Sequence, residues 1–491
     1  MVQFMFPGKA ATFEFQWRWV SASYICKEDM CQCGCRGWCT LYPLLEMLVV
    51  DLISCGDQVH VQQGFAPTDA ARAARAGTPL NACAACVFTK GDWPAYCEVA
   101  GFRQWGHEIF PCYCCDVTKA ALKQITSYEG VDLDGGDWNI YTQDDYLEDV
   151  FRCKMVVLIA TEHLRDLVFG ALRYRKSFLG RGLRKDVPPL GLIKGDRLEP
   201  TQTMPDVGLF QFMRPPFQAV FWRMYDNDRV LHESPLFRVP GLSTETHGAD
   251  ALHCWHLGPV LKLVTLVFWF LVHSKSFSTQ IADISMEDQV RIGLLILKNK
   301  LYDFYKAKRT DDHEWRKRGS EVWNVTQKMM GTKKRKTLAV KAAEARGLLE
   351  FAAVILEETV PKLKPAERAQ GMLLLESAKA GFRFDQLLKT ADPLVTVEGQ
   401  QELLTVYLRH VQFYKMAGGD LIPKHHMMIH MILSSSVLGH PTLYTTYRDE
   451  SFNGVIARIA RACHRNSFGL EVHRKLNVLQ ELGKASCTQM H

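Results

Sequence analysis

Near the start of the chain, "CQCGCRGWC" places Cys31, Cys33, Cys35 and Cys39 within nine residues. Thiolates are soft ligands that suit Zn²⁺, and the interleaved glycines let the backbone curl so that several sulfurs converge. A second group, "FPCYCC", supplies Cys112, Cys114 and Cys115, with His107 shortly upstream. A tetrahedral zinc site can be drawn from Cys112 and Cys115 with a partner from the first group, or with His107, and the spacing does not choose. Neither group has the paired CxxC knuckles of a standard finger, and buried free thiols on turns are the plain alternative. Cys83 and Cys86 are CxxC-spaced but sit on an alanine-rich stretch that reads as core. Much later, "KHHMMIH" sets His426 and His430 at i, i+4, on one face if helical. That pair can bind zinc, but it lacks the glutamate of an HExxH site, and packing on a methionine-rich helix is the stronger reading. Twelve of the 16 cysteines lie in the first 115 residues. In a reducing compartment that clustering favours metal ligation over disulfides.

Three carboxylate-bearing stretches invite harder cations. "VFTKGDWPA" (87–95) is a short apolar run closed by Gly-Asp-Trp-Pro. An aspartate just past a strand end suits Mg²⁺, which prefers carboxylates and keeps several waters. A turn aspartate is the bland alternative. "GADALHCWHLG" (248–258) sets Asp250 and His253 three apart on the lip of the greasiest run of the chain. "YRDESFNGVIARIARACHR" (447–465) opens a helix with Asp449 and Glu450 and follows with Arg458 and Arg461. Macrodipole compensation explains that polarity by itself. The functional reading is a helix-borne carboxylate completing a metal site, with arginines further along to touch phosphate.

Charge is unevenly distributed. The net charge is +6, yet residues 306–346 hold 13 Lys/Arg against 5 Asp/Glu, including Lys333, Lys334, Arg335 and Lys336. A second basic stretch, "RYRKSFLGRGLRK" (173–185), includes Arg173, Arg175 and Lys176 and no acid. Such patches suit a polyanion, because neutralising phosphates releases counterions. Each alone is also what a solvated helix face looks like. The N-terminus lacks a basic region followed by an apolar one, so no signal peptide is read. The apolar run Leu263–Val272 is too short for a bilayer span. A soluble intracellular protein without a membrane partner is the expectation.

Four regions must position these residues. Residues 1–120 are cysteine-rich and include the helical run "CTLYPLLEMLVVDLISCG" (39–56). Residues 121–256 mix helical patterns with a Pro/Gly-rich segment and end in the Asp250–His253 motif. Residues 257–420 keep 3.6-residue periodicity almost throughout, as in "EGQQELLTVYLRHVQFYKMAGG". Residues 421–491 carry the histidine pair and the helix of Glu450.

Taken in order, "GDWPAYCEVAGFRQWGHEIFPCYCC", "DALHCWHLG" and "LIPKHHMMIHMILSSSVLGHPTLYTTYRDESFNG" resemble the motifs of the CACTA (En/Spm-like) DNA transposases, the protist members more than the plant ones. The resemblance spans roughly residues 30–465 and implies a mixed α/β fold. That fold would be a ribonuclease-H-like core with a Cys-rich N-terminal part and a large all-α insertion at 257–420. It further implies DDE-type cleavage and transfer of double-stranded DNA by Mg²⁺ or Mn²⁺, structural Zn²⁺, self-association and a nuclear location. Asp92 matches the family's second catalytic aspartate, Glu450 its closing glutamate, and Asp250 with His253 its Asp-x-x-His. The family's first aspartate belongs on an earlier strand, and "FPGKAATFEFQWRWV" holds none, while Asp51 has a helical context. The expectation is therefore a truncated or inactive relative. The alternatives are a non-catalytic zinc-stabilised DNA-binding or scaffold protein derived from a transposase, and an unrelated zinc hydrolase using His426 and His430.

Overall fold

The computed structural model describes residues 2–6, 16–20, 38–148 and 233–478, less short interruptions within the last two ranges. Cys31, Cys33, Cys35, His107, Arg173, Arg175, Lys176 and Lys333 lie outside the described residues, as does the side chain of Cys39.

Strands are few and short among the described residues. β1 (Val2–Phe6) and β2 (Gln16–Val20) form an antiparallel pair. After helix α1 (Trp38–Gly56) comes β3 (Thr89–Gly91), followed at once by α2 (Trp93–Val99). β3 pairs in parallel with β4 (His247–Ala249), and among the described residues this two-stranded ribbon is the whole of their sheet. The mixed α/β architecture with a ribonuclease-H-like core is therefore not the fold of this chain, which is mostly helical. The reason is local. Asp92 caps α2 one residue after β3 ends, and Pro94 in the first turn of α2 commits the chain to helix. Asp250 likewise turns the chain from β4 into helix within a residue or two. Three-residue strands offer too little backbone to recruit further partners.

The molecule is organised around one apolar helical path. A wide π-type turn, Leu252–Val260, breaks at Leu257 and Gly258 and continues as α3 (Leu261–His273). Pro259 explains the break, because its ring disfavours a helical conformation in the residue before it. Leu263, Val264, Val267, Phe268, Leu271 and Val272 of α3 are all fully buried. The stretch Leu252–His273 is long and apolar enough to cross a membrane by length and composition, but 72% of its most apolar window is buried inside the protein. A helix apolar on all sides needs a surround. α4 (Met286–Asp311), α5 (Ala342–Thr359) and α6 (Pro365–Thr390) pack on it, and α8 (Pro423–Leu433) packs on the π-turn. α6 and α7 (Val397–Met416) make an antiparallel hairpin. Ser285 and Thr396 cap α4 and α7 by accepting the Asp288 and Gly399 amides, which fixes where each helix starts. One continuous hydrophobic core runs from Trp93 to Tyr444, so the helical stretch 257–420 shares its interior with the β3–β4 ribbon.

Candidate metal centre and carboxylate edge

Cys112 and Cys115 lie on the loop after α2, and His426 and His430 lie one turn apart on α8. Folding brings the four together. All are buried, and their ligand atoms lie within 4.8 Å of one another. His426 Nε2 is 3.0 Å from Cys115 Sγ, His430 Nε2 is 3.2 Å from the same sulfur, and the two Nε2 atoms are 3.0 Å apart. Zinc bonds of 2.0–2.3 Å in a tetrahedron set ligand separations of roughly 3.3–3.8 Å, close to these spacings. Backbone amides of Cys114 and Val117 point at Cys112 Sγ and Cys115 Sγ, at 3.2 and 3.5 Å. Such outer donors stabilise thiolate charge. Burial pushes the Cys112 thiol up, but hydrogen bonds from Cys114 and Cys115 and the charge of His430 outweigh it and hold that thiol well below its usual value. Burial pushes His426 down, which keeps its imidazole neutral and able to ligate. This buried Cys2His2 cluster can hold a metal ion.

The sequence reading held both halves of this set but did not join them. It paired Cys112 and Cys115 with His107 or the first cysteine group, and assigned the histidines to core packing. The available signal was complementary spacing, CxxC in one place and HxxxH in another, separated by more than 300 residues. His107 and Cys31–Cys39 lie outside the described residues or side chains, and the four-ligand set is complete without them.

The carboxylates gather a short distance away. In the β3–β4 register Gly91 faces Ala249, so the next residues along each strand are Asp92 and Asp250. Tyr96 braces this end of the ribbon, its hydroxyl 2.8 Å from the Gly248 carbonyl and 3.0 Å from that of Thr89. Asp92 caps α2, its Oδ1 accepting the Ala95 amide at 2.8 Å. Asp250 is almost wholly buried and accepts five hydrogen bonds. These come from the amides of Leu252, His253 and Thr446, from His253 Nδ1 at 2.5 Å, and from the Thr446 hydroxyl at 2.5 Å. Burial alone would raise the Asp250 carboxyl, but the bonds from His253 and Thr446 hold it below the usual range. Burial opposes the His253 charge, yet the Asp250 hydrogen bond and the charges of Asp250, Asp92 and Glu450 raise its pKa.

Thr446 is the residue just before α9 (Tyr447–Arg461), so its bonds to Asp250 deliver the start of that helix to the strand ends. Lys90 of β3 adds an ion pair to Asp449 at 2.8 Å. Asp449 is thereby engaged, whereas Glu450 is exposed, with no ion pair to its carboxylate among the described residues. Asp92, Asp250, His253 and Glu450 thus share one edge.

Behind that edge a buried aspartate gathers a charge network the sequence did not reveal. Asp385 of α6 takes His256 Nε2 at 2.9 Å, Arg346 Nε at 3.2 Å and Lys389 Nζ at 2.9 Å. Burial lowers His256, so it is neutral and donates its Nε2 proton to the ionised Asp385. The His256 ring meets the Tyr447 ring edge-on at the head of α9.

The basic stretches resolve unevenly. Arg309 forks onto Glu321, Lys308 pairs with Glu350, and Arg346 is spent on Asp385. Lys334, Arg335 and Lys336 stay exposed on a tight turn closed by a Gly331–Lys336 bridge. Arg458 and Arg461 are exposed on the last turns of α9. In comparisons with protein-family models, curated proteins and solved structures, nothing matches this chain.

Proposed function

We propose that the chain is a transposon-derived protein of the DDE transposase type, cleaving and transferring DNA strands with Asp92, Asp250 and Glu450 as its metal-binding carboxylates. The β3–β4 register carries this reading, because it sets Asp92 and Asp250 side by side at the ends of adjacent parallel strands. The ties from Thr446 to Asp250 and from Lys90 to Asp449 support it by bringing the Glu450 helix to the same edge. In this reading Asp92 and Asp250 are the two aspartates, and no further one upstream is required.

Mg²⁺ or Mn²⁺ on such carboxylates supplies Lewis acidity and neutralises charge at a phosphodiester. In hydrolysis a water oxygen bonds to phosphorus as the P–O3′ bond breaks. The 3′ oxygen leaves and takes a proton, and the 5′ end keeps the phosphate. In transfer that 3′ hydroxyl attacks a phosphorus of the target strand, releases the target's own 3′ oxygen and loses its proton. His253 bears positive charge that offsets three neighbouring carboxylates and keeps them together. The Cys2His2 set takes structural zinc, being buried and closed on all four sides. Lys334, Arg335, Lys336, Arg458 and Arg461 offer exposed cations for backbone phosphates of double-stranded DNA, with a nuclear location following from that substrate.

The test is nicking of supercoiled DNA by the full chain with Mg²⁺ or Mn²⁺. Asp92→Ala and Glu450→Ala are expected to abolish nicking while leaving DNA affinity within a few-fold. Two observations favour a second reading, a non-catalytic zinc-stabilised DNA-binding scaffold. Among the described residues the Cys2His2 set is the metal-sized group of three or more ligands, and Asp250 already has five partners. DNA binding without metal-dependent nicking in the unmutated chain would decide for the scaffold.

A further inference from the structure

Lys424 stands in the first turn of α8, two residues before His426. Its alkyl stem lies across the break in the π-turn, where Gly258 leaves room. A Cβ built on Gly258 would come within 3.1 Å of Lys424 Cβ and 3.2 Å of its Cδ. A side chain there would require the lysine stem to give by a few tenths of an ångström. The ammonium donates to the Leu257 carbonyl at 3.2 Å. A lysine has three donors, so two remain.

The surroundings of that ammonium are unusual for a lysine. It is half-buried, and burial lowers its pKa from the usual lysine value, while the charges of Cys254, Asp92 and Asp250 oppose that shift and the like charge of Lys262 adds to it. Yet among the described residues no carboxylate comes within ion-pair distance of it. A simple structural lysine in such a field closes onto its carboxylate. This one is instead held on the Leu257 carbonyl, in the turn that Asp250 opens, by a helix that packs on β4. Its position is also fixed from both sides, by the Cys2His2 ligands that follow it on α8 and by the packing of α8 on the π-turn and β4.

We infer that Lys424 contacts a backbone phosphate of DNA laid along the Asp92–Asp250 edge, with its ammonium on a non-bridging oxygen. The inference deepens the strand-cleavage reading and rests on it for the identity of the polyanion. Carboxylates with their cations take one side of the phosphate, and Lys424 supplies a preorganised positive charge on the other. Such a charge favours the transition state of phosphoryl transfer, where charge spreads over the oxygens.

The experiment compares the full-length chain with Lys424→Ala, Lys424→Met and Lys424→Arg. Duplex binding is measured against salt with no chelator and no added Mg²⁺ or Mn²⁺, and nicking of supercoiled DNA is measured with Mn²⁺. Losing one phosphate contact lowers the slope of log affinity against log salt by about one. Lys424→Ala and Lys424→Met are expected to show that drop and to slow nicking at least about tenfold, and Lys424→Arg to restore most of both. Lys424→Met keeps the stem against Gly258, so a fault confined to packing appears in alanine and not in methionine. A wild-type salt slope in Lys424→Met overturns the inference, even where the wild type nicks and the cleavage reading stands. If the wild type makes no metal-dependent nick while the slope still falls in Lys424→Met, the cleavage reading fails and the phosphate contact survives.

Discussion

Asp250 shows how one residue can be both anchor and candidate ligand. Its five hydrogen bonds join two pieces of chain: its own helix start, with the His253 ring, and the lead into α9. Removing the carboxylate strands a charged histidine, three amides and the Thr446 hydroxyl, so Asp250→Ala is expected to cost about 3 kcal/mol in denaturant unfolding. The pair also makes stability depend on pH. His253 is raised in the folded protein, so its contribution is complete below its unfolded value near 6.5 and is lost as pH rises through the higher folded value. Asp250 is lowered, so its contribution holds above an unfolded value near 3.9 and is lost as pH falls through the folded one. Thermal melting of the wild type should therefore decline from pH 6 to 8 more steeply than that of His253→Gln. Equal slopes would mean that the imidazole carries no linked proton.

At the scale of elements, the helices were legible and their cross-connections were not. Apolar residues in α4, α5 and α7 recur with helical period, and Ser285, Glu344 and Thr396 mark the starts. The parallel pairing of β3 with β4 was invisible, because three-residue strands show no alternation and lie 158 residues apart. Asp92 was legible as a strand-end aspartate. That its neighbour is Asp250, and not a residue further upstream, follows only from that pairing. The Asp385 network was hidden for a related reason, since only Lys389 is a local i,i+4 partner of Asp385, while His256 comes from the π-turn and Arg346 from α5. It fixes the π-turn against the hairpin, directly behind Tyr447. Asp385→Ala leaves the buried His256 donor without its acceptor and two cations without their counter-charge. A loss of about 3 kcal/mol in chemical denaturation is the expected outcome, and a loss under about 1 kcal/mol would show that water replaces the carboxylate.

For the molecule as a whole, the Cys2His2 cluster, which can hold a metal ion, is a clamp across the fold. It joins the loop that follows α2 to α8, and those segments lie more than 300 residues apart in the chain. α8 packs in turn against the π-turn and β4, and its Lys424 reaches the Leu257 carbonyl of the π-turn. Ligand binding to the folded state alone adds its free energy to folding, which for closed Cys/His zinc sites amounts to several kcal/mol or more. Metal analysis of the purified chain should give one zinc per molecule. Cys115→Ser and His426→Ala should each lose it, because either removes one of four ligands, one that touches two of the other three. Chelation should lower the melting temperature of the wild type and leave the two variants unmoved. Because the clamp also aligns α8, chelation should weaken duplex DNA binding even in the Asp92→Ala background, where no strand is cut. Full zinc content in both variants would assign the metal to other cysteines and leave this cluster as core. Unchanged DNA binding after complete zinc loss would instead separate the clamp from the carboxylate edge and make the two sites independent.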